Sequence, residues 1–87
     1  MPCRIELKPS AVRALSSLPK KEQRRISVRI DSLAQNPRPR GTEKIEGRED
    51  LYRVRSGDYR IIYQVRDKVL LVLVVKIGHR KEIYGRL

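Results

Sequence analysis

Tryptophan and phenylalanine are absent from these 87 residues, and cysteine, methionine and histidine occur once each. Without large apolar rings, a core has to be built from Ile, Val, Leu and the four tyrosines. The lone Cys3 excludes an internal disulfide framework and a cysteine-based zinc site, and fits a reducing compartment. No apolar run approaches the ~20 residues that span a bilayer, and the N-terminus carries no signal-peptide core. A soluble, cytoplasmic protein without a membrane partner is therefore expected. No His, Cys or carboxylate spacing resembles a metal-ligand set, no serine sits in a nucleophile elbow, and no glycine-rich phosphate loop occurs. No metal and no cofactor are expected.

Acidic residues are also scarce. Ten Asp and Glu face 21 Lys and Arg, for a net charge of +11 at neutral pH and a pI near 10.5. The excess is spread along the chain, +5 over residues 1–50 and +6 over 51–87, so a detachable basic tail does not explain it. Such a protein seeks polyanions: nucleic acid, an anionic membrane surface or an acidic protein. At 39% hydrophobic residues the chain is too apolar for a disordered basic segment. The length allows one domain, residues 1–87, with no second domain and no linker.

The order of elements follows from periodicity. Cys3 to Lys8 alternates and reads as a short strand. Ser10 is suited to cap a helix with apolar positions Val12, Leu15 and Leu18. Pro19 separates it from a second helix, Lys20 to Gln35, whose Ile26, Ile30 and Leu33 form one inward stripe. Lys21, Arg24 and Arg25 project to its other side. Pro37 and Pro39 end that helix, and the two helices form an antiparallel hairpin. A polar loop runs from Arg40 to Asp50. The period then changes to two, with strands over Leu51–Arg55, Tyr59–Arg66 and Val69–Lys76 and turns at Ser56–Asp58 and Asp67–Lys68. The last strand is apolar on both faces and belongs in the centre of the sheet. The fold class is α+β, of order β-α-α-β-β-β. It is a mainly antiparallel sheet with an N-terminal helical hairpin packed on one face.

Charge placement carries the functional signal. If Gly57-Asp58 is a two-residue turn, Arg55 lies opposite Arg60 and Arg53 opposite Ile62. Arg53, Arg55 and Arg60 then share one sheet face, while Tyr52, Val54, Ile61 and Tyr63 share the other. Like charges opposed across a ladder are destabilising, and an anion between them relieves the repulsion. Three arginines splayed into solvent are the plain alternative. A guanidinium cluster on a rigid sheet suits phosphate, because each offers a planar fork of donors. After the central strand, Gly78 is read as a bend or close approach, with Arg80 at the end of the sheet.

The segments LYRVRSGDYRIIYQV (Leu51–Val65) and VLLVLVVKIGHRKEIY (Val69–Tyr84), on this order of elements, resemble the RelE/ParE superfamily of bacterial toxins, specifically its RelE-like branch. The resemblance covers nearly the whole chain and implies a RelE-like fold. It also implies the toxin component of a type II toxin–antitoxin system, a ribosome-dependent endoribonuclease that enters the 30S A site and cuts mRNA. A cognate antitoxin holds such toxins inactive. Arg53 and Arg55 match two basic positions before the hairpin turn, often lysines in relatives. Arg60 matches the Arg of the GYR-like motif, Arg80 the basic residue after the Gly-x pair, and Tyr84 the C-terminal tyrosine.

Metal-independent cleavage uses the ribose 2′-OH as internal nucleophile, so the protein must orient it, stabilise the phosphorane and protonate the leaving 5′-oxygen. Arg55, Arg60, Arg80 and Tyr84 are the catalytic candidates. Arg60 and Arg80 stabilise charge, while Tyr84 stacks or exchanges a proton. Arg at 53 and 55 cannot readily act as a base, which leaves His79 as the one side chain that ordinarily titrates near neutrality. Arg53, His79, Lys81, Arg24 and Arg25 are the RNA- or phosphate-binding candidates. Only three residues follow Tyr84, so the C-terminal helix of relatives is expected to be missing or very short. An acidic antitoxin segment masking the basic face is the expected mode of neutralisation. Two other readings remain open: a ParE-type gyrase-inhibiting toxin, and a nucleic-acid-binding module without catalysis.

Overall fold

The computed structural model describes residues 2–48 and 50–79. Arg80, Lys81 and Tyr84 lie outside the described residues. The chain runs β1 (Arg4–Leu7), α1 (Pro9–Ser16), α2 (Lys20–Ser32), β2 (Glu43–Lys44), β3 (Leu51–Ser56), β4 (Tyr59–Arg66) and β5 (Leu71–His79). The strands form one sheet in the order β1-β5-β4-β3-β2. Among the described residues, β1 and β5 pair in parallel and the other pairs are antiparallel. The expected α+β order holds with one addition. β2 lies inside the expected Arg40–Asp50 loop, and two residues are too few to show any alternation in sequence. It is anchored by Ile45, which packs on Ile62, Leu51 and Val75 as a small satellite of the main core.

The helical hairpin covers one sheet face. Ile26, Ile30 and Leu33 are buried together against Val54, Ile61, Tyr63, Val65, Val72, Val74 and Ile77, as the seven-residue spacing requires. The first helix differs from expectation in two ways. It starts on Pro9, with Lys8 extended before it and no side-chain cap, because proline fixes a helical φ and has no N–H to satisfy. Ala11 rather than Val12 turns inward, in step with Leu15 and Leu18 at i, i+4 and i+7, and Val12 is left about half exposed. Gln23 ties the hairpin, donating from Nε2 to the carbonyls of Leu18 (2.7 Å) and Ser16 (3.2 Å) at the end of α1. α2 stops at Ser32, three residues short of the expected end. Leu33 and Ala34 instead donate to Ile30 and Asp31, a tighter turn that leads into the prolines.

β5 sits between β1 and β4, the central place that its two apolar faces predict. Its pairing with β4 slips between Ile62 and Tyr63, a bulge on the β5 side. The strand continues through Gly78 to His79, so Gly78 makes no bend. The expected Asp67–Lys68 turn is a single 3-10 turn, Asp67–Val69, closed by Leu70 in the left-handed region (φ 51°).

Asp67 also takes both Nη atoms of Arg38 (2.7 and 3.2 Å), while Arg38 Nε donates to the Tyr52 hydroxyl. Arg38 holds the Asp67 carboxyl below its ordinary range. A depressed carboxylate contributes stability above its unfolded pKa of about 3.9 and loses it as pH falls through the folded value. Thermal unfolding followed from pH 5 downwards should therefore show a smaller acid-dependent fall in Asp67→Asn than in the wild type. Both side chains are substantially exposed, so the difference should be small.

Candidate functional site

The site is built on the β3–β4 hairpin. Gly57 has φ +61°, and Asp58 does not share a positive φ. A left-handed first residue only is the pattern of the two-residue II′ turn, for which glycine is the ordinary choice. This turn sets the register. Arg55 faces Arg60, Arg53 faces Ile62, Val54 faces Ile61 and Tyr52 faces Tyr63. Directly opposed residues share a face, so Arg53, Arg55 and Arg60 lie together on the face away from the helices. Tyr52, Val54, Ile61 and Tyr63 belong to the helix side, where the two tyrosine rings stack at 6.0 Å between centroids.

Arg60 is the unusual member, an arginine only 8% exposed. Gly78 faces it from β5, so that position of the ladder adds no side chain beside it. Arg55 is exposed and Arg53 half-buried. Arg53 Nε donates to Glu43 of β2 at 3.1 Å. A cavity of about 350 Å³ lies beside these groups, lined by Arg29, Gly41, Glu43, Arg53, Val54, Arg55 and Arg60. Its walls thus hold four arginines and one carboxylate. Bringing an anion here offsets the mutual repulsion of the guanidinium groups, and their forked donors match the non-bridging oxygens of a phosphodiester.

Other candidates are placed elsewhere. His79 faces Tyr59 across the β4–β5 ladder, on the helix side, and the rings meet edge to face at 5.6 Å. Arg25 lies by the hairpin turn, in a separate groove with Glu22, Gly57, Asp58, Tyr59 and His79. Arg24 lines a shallow surface along α2 with Lys20, Gln23, Ser27, Val28 and Asp31. Neither groove includes Arg53, Arg55 or Arg60. Conversely, sequence reading passed over Arg29 and Glu43, which line the arginine cavity, and Lys76. The bulge puts Lys76 opposite Ile62, on the arginine face. No sequence signal marks that shift, whereas the helical spacing of Arg29 from Ile26 and Ile30 could have suggested its place at the border of the buried stripe. Among the described residues, no three of His, Cys, Asp and Glu gather as metal ligands, and no helix is long and apolar enough to cross a membrane.

The comparisons with known proteins converge. A family described as the ParE toxin of the type II toxin–antitoxin system parDE matches residues 5–84. A putative toxin RelE1 of Methanocaldococcus jannaschii is 26% identical over 83 residues, covering 92% of either chain. The mRNA interferase toxin RelE of Escherichia coli is 31% identical over 64 residues, 69% of this chain and 66% of that one. Among solved structures, the archaeal RelE–RelB complex of Pyrococcus horikoshii aligns over 100% of both chains with a TM-score of 0.82 and 39% identity. A basic hairpin carried on this sheet and matched from residue 5 to residue 84 makes the chain a RelE-like member of the RelE/ParE superfamily of type II toxins.

Proposed function

We propose that this chain is a ribosome-dependent, metal-independent endoribonuclease that cuts mRNA in the 30S A site. The observation that carries the reading is the Arg55–Arg60 pair, with Arg53 beside it and a cavity roomy enough for a phosphodiester at hand. In the reaction, the 2′-oxygen attacks the adjacent phosphorus and loses its proton to a base. The P–O5′ bond breaks, and the 5′-oxygen takes a proton from an acid. The products are a 2′,3′-cyclic phosphate and a 5′-hydroxyl. Arg60 and Arg55 stabilise the added negative charge of the phosphorane, as fixed donors aimed where charge develops. Arg53 positions the backbone. Arg80 adds a further cation, and Tyr84 stacks on a base or exchanges a proton. His79, turned to the helix side, is a poor general base for this reaction.

A cognate antitoxin neutralises the toxin in the cytoplasm. The P. horikoshii relative is a complex of RelE with RelB. A net charge of +11 favours an acidic antitoxin segment laid over the arginine face, with association steered by charge.

A second reading has one specific observation behind it: the matching family description is that of ParE. That reading is a gyrase inhibitor, which binds a protein target and cuts no RNA. Ribosomes programmed with a defined A-site codon, and gyrase supercoiling assays, should be run on the same folded, antitoxin-free protein. The nuclease reading expects A-site cuts that fade in Arg80→Ala and Tyr84→Phe, with supercoiling untouched. Inhibited supercoiling without cuts would establish the gyrase reading instead.

A further inference from the structure

The cavity beside Arg55 continues past the arginine face. Val54 points to the helices while Arg53 and Arg55 point away from them, yet all three line it. With Arg29 of α2 lining it as well, the cavity runs along the outer edge of β3. Among the described residues, β2 pairs with Tyr52 and Arg53 alone, so no strand continues along the edge beside Arg55. The Leu51 carbonyl accepts the Ile45 N–H at 2.9 Å, so odd-numbered backbone groups of β3 point outward, since a strand alternates the side to which its N–H and C=O point. The Arg55 N–H therefore opens toward this edge. Arg29 of α2 lines the same cavity from the helix side.

Among the described residues, Arg29 and Arg55 form no ion pair. Glu43, the only carboxylate in the lining, is bonded to Arg53. Two guanidinium groups and an outward backbone N–H thus border an opening at a strand edge. This is a donor set for a tetrahedral oxyanion with two free oxygens.

Resting on the nuclease reading above, we infer that the β3 edge is a second phosphate subsite. Arg29 and the Arg55 N–H bind the RNA phosphodiester neighbouring the one held by Arg60, and the Arg55 guanidinium, with five donors, bridges the two. The RNA strand then passes from the arginine face around the edge of β3 toward the C-terminal end of α2. Contacts of this kind carry no base information; they fix the register of the strand, and so which phosphate meets Arg60. Arg29 also sits in the last turn of α2, where a cation complements the helix dipole. That role alone predicts a change in stability and none in RNA contact.

The test uses the full chain and a short fluorescent 2′-O-methyl RNA, which lacks the nucleophile. Each linkage in turn is replaced by a neutral methylphosphonate. In wild type, neutralising either of two adjacent linkages should weaken binding by roughly tenfold, the scale of one charge-assisted contact. Arg29→Gln should weaken the intact RNA by a similar factor and lose its sensitivity at one of these linkages while keeping it at the other. Its salt slope should fall by about 0.7, as for one phosphate contact on a single strand. Arg29→Lys should restore the slope and only part of the affinity, because the charge returns without the fork. Thermal unfolding of each variant confirms that folded proteins are compared. Unchanged sensitivity at every linkage in a folded Arg29→Gln would overturn the subsite. Cleavage of ribosome-bound mRNA is measured alongside. Cutting by a protein with no Arg29-dependent linkage strikes the subsite alone, and an Arg29-dependent linkage in a protein that never cuts strikes the nuclease reading alone.

Discussion

Arg60→Met is expected to lower A-site cleavage by roughly 10²–10³-fold, the cost of removing one fixed donor to a developing oxyanion. Thermal unfolding of the same preparations reads separately what the Arg60 guanidinium does for the fold. Arg60 is 8% exposed and faces Arg55 across the ladder, with Arg53 and Lys76 on the same sheet face. Keeping a cation there costs desolvation and like-charge repulsion, whereas methionine keeps the unbranched stem and drops the charge. A site residue whose removal disables the protein without loosening it is held for function at the expense of stability. Single-turnover cleavage and thermal unfolding on the same preparations separate the cases. If both fall together, Arg60 is a structural residue and the phosphorane contact has to be sought elsewhere.

The largest stability effect is expected at Tyr63. The ring is fully buried against the helices, and its hydroxyl donates to the Pro37 carbonyl at 2.7 Å, with the Thr42 hydroxyl 3.4 Å away. It thereby fastens the 37–42 segment, which leads into Gly41 and Glu43 of the arginine cavity, to the centre of the sheet. Tyr63→Ala should cost about 3–5 kcal/mol, as truncations of large buried rings do. For a domain of this size each kcal/mol moves the unfolding temperature by roughly 4–8 °C. Tyr63→Phe keeps the packing and loses one part-buried hydrogen bond to the Pro37 carbonyl, for about 1 kcal/mol. Burial also raises the phenol pKa above its ordinary value. A raised folded pKa means that this contribution is complete below pH 10 and is lost as pH rises through the folded value. Denaturant titrations of the three proteins at neutral and strongly alkaline pH should show the wild-type advantage over Tyr63→Phe shrinking at the alkaline end.

Much of the candidate site's geometry was legible because its decisive signals are local. A Gly-Asp pair between two alternating runs specifies a two-residue turn, and that turn alone dictates which arginines face one another. The Ile26, Ile30 and Leu33 stripe was equally readable, since helical geometry leaves no other way to bury it. What escaped depends on tertiary pairing. The residues of β2 become a strand only because Tyr52 and Arg53 lie beside them and Ile45 can bury itself on Ile62. A bulge in β5 moves Lys76 to the arginine face, and no turn residue announces it. His79 adjoins Arg80 in sequence, yet strand alternation turns its ring toward Tyr59, on the face opposite the arginines. The spacing of Arg29 from Ile26 and Ile30 puts it at the border of the buried stripe, but only the docking of α2 on the sheet brings it to the cavity beside Arg55.

The most direct test of the account is to programme ribosomes with an mRNA carrying a single 2′-deoxyribose at the scissile position in the A site. Wild-type protein should cut the all-ribose message there, leaving a 2′,3′-cyclic phosphate and a 5′-hydroxyl. It should leave the deoxy message intact, because the internal nucleophile is gone. Cutting of the deoxy message, or product ends bearing a 5′-phosphate and a 3′-hydroxyl, would mean that an external nucleophile does the work, and would contradict the mechanism assigned to the arginine face.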